Sequence, residues 1–444
     1  MRARTPNRAL AELIAEARWT NGEVARAVNR VGAELGLALH YDDSAVCHWL
    51  TGTMPRKRVR PALVEAFSRR LSRPVTAGEF GFGGEGSAPL GDPDTVTGLV
   101  ELGSVDMDPS RRAVLGSAGL YSVAALIPGF TDLVGRFASH RRNPHQRIGQ
   151  GEVDAVVAMS ERISEIDDMF GGRHARPMAA AFMVNTVAPY LKAEGPERVR
   201  KAMLSAAADH CYLTGYMAMD ERADGLAQWY YTKALELAGG AEDHLTYCTT
   251  LRGMSVQAVD LGHGAKALEL ANAAAGASPQ AGPRMVAFLA GQQAHAAART
   301  GDRATALRRL HEAEAAMERA EDRQTAFRSY DPAALKYHVG QVRYELGDVA
   351  GSVEALEESN RLREPVYRRI RAIREATLAE RKLRLGRLEE ACVDWHGMLD
   401  DYGHVRSGRC DDRYRAMVSA IRPHLRNRYA RELYERALPL APAA

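Results

Sequence analysis

The chain is poor in lysine, aromatic residues and cysteine, and each shortage excludes something. Only seven of its 59 basic residues are lysine, an arginine excess that fits a GC-rich genome better than a function. Aromatics make up 7% while alanine and leucine dominate, a mixture that favours helix over sheet. The five cysteines (Cys47, Cys211, Cys248, Cys392 and Cys410) are odd in number, scattered and without a CxxC pair. That usage fits a reducing cytoplasm and argues against a disulfide framework or a zinc ribbon. Met1–Trp19 lacks the apolar core of a secretory signal. HExxH, phosphate-loop and nucleophile-elbow motifs are missing, and the fourteen histidines show no metal-ligand spacing. Asp167-Asp168 and Asp411-Asp412 are adjacent acids, which on a helix point different ways. The expectation is a protein that is not an enzyme, with no cofactor and no metal.

At 444 residues the chain exceeds what one core serves, so several domains are expected. Residues 1–73 hold 13 Arg/Lys against 7 Asp/Glu, a net of +6; the remainder holds 46 against 49, a net of −3. A basic head on a near-neutral body points to a polyanion at the N-terminus. Residues 81–110 are rich in Gly, Pro and Asp and read as a flexible linker. The glycine string at its start follows no strand, so a dinucleotide loop is not expected there. Arg111-Arg112 and the uncharged Ala113–Pro128 resemble a twin-arginine signal. The run is shorter than the roughly 18 residues of a spanning helix and lies far from the N-terminus. It is read instead as a buried linker helix, with residues 111–149 as a connection and no membrane contact.

From residue 150 to 444 the pattern is helical and repeats. Leu261-Gly-His-Gly-Ala-Lys-Ala-Leu is echoed by Thr300-Gly-Asp-Arg-Ala-Thr-Ala-Leu, Leu346-Gly-Asp-Val-Ala-Gly-Ser-Val and Leu385-Gly-Arg-Leu-Glu-Glu-Ala-Cys. The glycines at 262, 301, 347 and 386 lie 39, 46 and 39 residues apart. Each follows an amphipathic stretch such as Pro283–Arg299 and would close a helix in the left-handed conformation. The small residue four or five positions later lets a second helix pack closely, and such hairpins must stack to bury their faces. These units resemble the tetratricopeptide repeat, with a spacing longer than its regular period of about 34 residues.

The head, residues 1–80, carries the most specific pattern. Asn7–Ala17 forms one helix; Thr20 and Glu23 form a capping box that opens a second. Asp42-Asp43-Ser44 caps a third, in which Val46, Trp49 and Leu50 face inward and Ser44, Ala45, Cys47 and His48 outward. Arg56-Lys57-Arg58 follow, and Arg2 and Arg4 could form an arm. A short helix with small polar outward residues suits the major groove, and flanking arginines suit phosphates. Val46-Cys-His-Trp49-Leu-Thr-Gly52-Thr-Met-Pro55, with Glu23-Val24-Ala25, resembles the xenobiotic-response-element (lambda repressor/Cro-like) helix-turn-helix family. The pattern, with the basic residues after it, looks like a subgroup of actinobacterial regulators that join such a head to tetratricopeptide-like repeats.

The resemblance implies an all-α protein, helix-turn-helix head plus helical-hairpin solenoid, that regulates transcription in development or secondary metabolism. It places base contacts at Ser44, Cys47 and His48, and phosphate contacts at Thr20, Asn21, Arg56, Lys57 and Arg58. Implied partners are double-stranded DNA, a second copy in a homodimer, and a signalling peptide or small-molecule ligand. Candidate groove residues are Asn185, Tyr230, Gln292, His338 and Arg374. The competing reading is an interaction scaffold whose repeats bind a protein and whose head serves assembly.

Overall fold

The computed structural model describes residues 6–34, 37–71, 75, 77–80, 94–108, 121–123, 125, 127–134, 143–277, 282–320, 330–362 and 367–442. The glycine string, Arg111–Leu120 and the Arg2/Arg4 arm lie outside them.

The described residues are almost wholly helical. In the head, α1 (Arg8–Ala17), α2 (Asn21–Glu34), α3 (Asp43–Leu50) and α4 (Arg60–Leu71) surround their own core of Leu10, Leu13, Val24, Val28, Val46, Trp49, Phe67 and Phe80. Asn7 caps α1, its Oδ1 accepting from the Leu10 amide at 3.0 Å, while its Nδ2 donates to the Phe80 carbonyl.

A helix, α5 (Thr95–Met107), stands where composition reads as flexible linker. Val96, Leu99 and Leu102 bury one face of it in the main core of the body. The linker reading of 81–110 is therefore corrected for 95–107: glycine and threonine dilute a pattern that packing completes.

The body continues through α6 (Phe130–Leu133), a short parallel pair of β1 (Asn143–Arg147) and β2 (Ala193–Glu194), α7 (Gln150–Phe170), α8 (Gly172–Phe182) and α9 (Ala188–Lys192). Helical hairpins follow: α10 (Glu197–Asp220) with α11 (Asp224–Ala241), and α12 (His244–Asp260) with α13 (Gly264–Gly276). Next are α14 (Pro283–Arg299) with α15 (Arg303–Glu318), and α16 (Pro332–Glu345) with α17 (Val349–Leu362). Last come α18 (Arg368–Arg384) with α19 (Leu388–Tyr402), and α20 (Gly408–Ile421) with α21 (Arg428–Ala437).

Gly262, Gly301, Gly347 and Gly386 turn four of these hairpins at φ of 82°, 84°, 88° and 77°. Behind each glycine the next amide closes a six-residue ring, as His263 N to Ala258 O at 2.8 Å and Asp348 N to Arg343 O at 2.9 Å. The fifth residue after each glycine (Ala267, Ala306, Ser352, Ala391) is fully buried against its partner helix.

The stack of hairpins closes on itself. The C-terminal end of α7 meets the turn before α20: Arg406 donates its amide to the Phe170 carbonyl at 2.7 Å, and Arg173 returns one to Arg406 O at 3.3 Å. Buried Arg369 on α18 contacts Asp167 at 2.8 Å and Asp168 at 2.9 Å on α7, and Asp220 at 3.4 Å on α10. Arg173 to Asp411 (2.8 Å) and Arg222 to Asp412 (2.6 Å) tie the same seam. The two aspartate pairs of the sequence are thus structural.

Gly171 sits in this seam at φ +90°, and an added Cβ would lie 2.3 Å from the Arg406 carbonyl. Gly171→Ala should cost more than about 1 kcal/mol, because strain and a backbone clash add. A lowered urea midpoint with unchanged helix content checks it.

His210 on α10 is buried between the Ala179 carbonyl (Nε2, 2.9 Å) and the Ser160 hydroxyl (Nδ1, 2.9 Å). Since a carbonyl only accepts, Nε2 carries the proton of a neutral ring. Burial lowers its pKa to about 4, below the roughly 6.5 of an unfolded histidine. The unfolded chain therefore binds more protons between those values. This contribution, up to about 3 kcal/mol, is complete above pH 6.5 and lost as pH falls toward 4. In urea titrations His210→Gln should flatten the fall in stability between pH 7 and 4.5.

Candidate functional site

The central cavity is the first candidate. The first helix of each hairpin faces inward, and the stripes run at helical spacing: Arg252, Val256 and Val259 on α12; Phe288, Gln292 and His295 on α14; Ile370, Arg374 and Arg381 on α18. Together with α10, α16 and α20 they enclose about 440 Å³.

The lining is charged and aromatic. Six arginines face three carboxylates. Each carboxylate is matched: Asp260 to Arg409 at 3.3 Å, Glu345 to Arg299 at 3.0 Å, Glu380 to Arg413 at 2.8 Å. Rings and hydroxyls surround the other arginines. Arg252 lies 4.3 Å over the Phe288 ring with Nη2 3.3 Å from His338 Nε2. Arg374 donates to Ser359 Oγ at 3.1 Å and lies over Tyr337; Arg381 donates to Ser352 Oγ at 2.6 Å and lies over Tyr344. Burial pushes His295 down to about 4 and His338 well below its ordinary value, so both are neutral and add no charge. Two buried polar atoms of this wall, Arg252 Nε and Gln292 Oε1, have no hydrogen-bond partner.

Of the groove residues named from sequence, Gln292, His338 and Arg374 line this cavity. Tyr230 does not: it is buried under α5 and donates to Asp106 at 2.9 Å. Asn185 is exposed in a π-helical turn, Met183–Val187, away from the cavity. Sequence reasoning missed Arg252 and Arg381; the available signal was a polar and aromatic stripe recurring on successive first helices.

The second candidate is the head surface. Thr20 and Glu23 form the expected box, with Thr20 N to Glu23 Oε2 at 2.7 Å and Glu23 N to Thr20 Oγ1 at 3.3 Å. The Thr20 amide and hydroxyl, both donating to Glu23 Oε2, hold its carboxyl below its ordinary pKa. Asp42 is the α3 cap, accepting from Ala45 N at 3.0 Å, so Ser44 lies inside the helix. Ser44, Cys47 and His48 are exposed, as are Arg56, Lys57 and Arg58. Asn21 is half-buried and donates to Cys47 Sγ at 3.2 Å, which engages two of the named residues with each other. The long connection into α3 is fixed by Asn29, which bonds the Tyr41 carbonyl (2.8 Å) and amide (2.9 Å).

A strap joins the head to the body. Ser122 pairs its amide and carbonyl with the Gln228 side chain on α11 (2.8 and 2.7 Å), and Tyr121 stacks on His263. On the other side Val123 N donates to Glu65 at 2.9 Å, and Arg69 donates to the Tyr121 carbonyl at 3.2 Å, both from α4.

Among the described residues no cluster could hold a metal ion, and no helix is long and apolar enough to cross a membrane. No curated protein matches the chain. Among solved structures it is similar to a chain in the crystal structure of the APC/C hetero-tetramer Cut9-Hcn1, at 14% identity and a TM-score of 0.33, over 97% of this chain and 69% of that one. Over residues 10–83, essentially the head, the chain is similar to the family described as the SP15 N-terminal domain.

Proposed function

We propose that the chain is a helical-repeat interaction protein that receives an occupant within its closed ring of hairpins. The observation that carries this is the central cavity, where buried polar atoms on α12 and α14 stand without partners inside a wall of cations and rings. A buried polar atom without a partner is costly, and an occupant that pairs it removes that cost. The reading is tested by native mass spectrometry of the full chain and of Val256→Trp, whose indole would protrude into the cavity and narrow it. Both are incubated with extract from the cells that make the protein. Bound mass on the first and not the second supports it. Equal retention by both, or none by either, counts against it.

A second reading is favoured by the head alone. Ser44, Cys47 and His48 are exposed on a capped helix, followed by the cationic Arg56–Arg58. In this reading the head docks in the major groove of duplex DNA, and the protein regulates transcription, as a homodimer with two heads about 34 Å apart. The Tyr121–Val123 strap would then tie head position to the repeat domain, since it bonds both α11 and α4.

A further inference from the structure

We infer that the occupant of the central cavity is a small organic anion with a flat apolar body; this rests on reading the cavity as a binding site and adds its chemical class. Charge argues first. The wall carries six arginines against three carboxylates, each already facing an arginine, and its two histidines are neutral. Concentrated positive charge in an enclosed site is unfavourable until an anion enters, and it repels a cationic ligand. Polar geometry argues second. Arg252 Nε is a buried donor without a partner, while the Cζ of the same guanidinium lies 4.3 Å over the Phe288 ring. Gln292, fully buried, is anchored by Nε2 on Ser255 at 2.9 Å and leaves Oε1 for an N–H or O–H of the ligand.

Shape argues third. Phe288, Tyr330 and Tyr337 supply ring surfaces, and Arg374 lies over Tyr337. The volume of about 440 Å³ lies in the range of roughly 300–1,000 Å³ for small-molecule sites and admits no folded partner. A free aromatic acid and the acidic end of a short peptide share this chemistry.

The test uses the full chain and two fluorescent probes with the same ring system. 1-Anilinonaphthalene-8-sulfonate carries an anion, and N-phenyl-1-naphthylamine carries none. The sulfonate should bind saturably, one per chain, at least about tenfold tighter than the neutral probe, the worth of one charge-assisted hydrogen bond. Arg252→Met, which keeps an apolar chain over Phe288, should weaken the sulfonate about tenfold and leave the neutral probe within twofold. Should that variant fail to fold, Arg252→Gln carries the same expectation. Val256→Trp, which narrows the cavity, should weaken both. Competition by 1-naphthoate or by an acetylated tetrapeptide ending in glutamate then tells a free acid from a peptide end. Equal affinity for the two probes, or unchanged sulfonate affinity in Arg252→Met, overturns the anion while the cavity stands. Full binding of both probes by Val256→Trp overturns the cavity reading itself.

Discussion

Arg369→Ala should destabilise the protein by about 3–5 kcal/mol, the cost of stranding buried carboxylates whose partner is removed. Arg369 is 1% exposed, and its three acids come from helices some 150 to 200 residues away. Burial raises the Asp167 pKa to about 7, with Asp220 and Asp168 adding to the rise and Arg369 opposing it. Without the arginine that pKa climbs further. A carboxyl whose folded pKa lies above its unfolded value penalises folding above the folded pKa and ceases to do so below the unfolded one. The deficit of the variant should therefore be largest near pH 8 and shrink toward pH 5. Urea unfolding at both values checks the sign, and small-angle scattering should show an increased radius of gyration as the seam opens. A change below about 1 kcal/mol would be that of an exposed pair.

Charge reversal of Arg56, Lys57 and Arg58 to glutamate should lower retention on fragments of the source genome by roughly a hundredfold or more. The salt slope of binding should fall by nearly three, because each phosphate contact contributes about 0.9 to that slope. All three side chains are exposed, so the melting temperature should barely change. His48→Ala should act differently: it should relax preference among sequences and leave the salt slope intact, since base contacts specify and phosphate contacts position. Undiminished retention in the triple variant would remove the DNA reading and leave the head as an assembly element.

What could be read from the residues was local. The repeat turns are legible because a left-handed residue at a hairpin selects glycine, and four glycines recur with the same neighbours. The caps of the head are legible for the same reason: Thr20 with Glu23, and Asp42, satisfy helix ends within three residues. The inward set of α3 follows from helical period alone, and Val46 and Trp49 are buried.

What escaped was long-range. Asp167-Asp168 and Asp411-Asp412 read only as adjacent acids because the arginines that meet them across the seam, Arg369, Arg173 and Arg222, are 190 residues or more away in sequence. The strap at Tyr121–Val123 has no helical period, so only its bonds to Gln228 and Glu65 reveal it. Tyr230 was drawn to the groove by its polarity, but Asp106, from a helix hidden in linker-like composition, satisfies it. Only Gln292, His338 and Arg374 of the candidate cavity were visible, as scattered residues. That they share one wall depends on ring closure.

Amide hydrogen exchange of the full chain across that seam tests the closed ring most directly. The account predicts that Arg406, donating to Phe170 O, and Gly171, donating to Asp167 O, exchange as slowly as the buried cores of α10 and α18. In Arg369→Ala both should be released together while the hairpin turn at His263 stays protected. Exchange of Arg406 and Gly171 at the rate of an exposed loop in the unmodified protein would contradict the account. It would mean an open solenoid in solution, with no enclosed site at its centre.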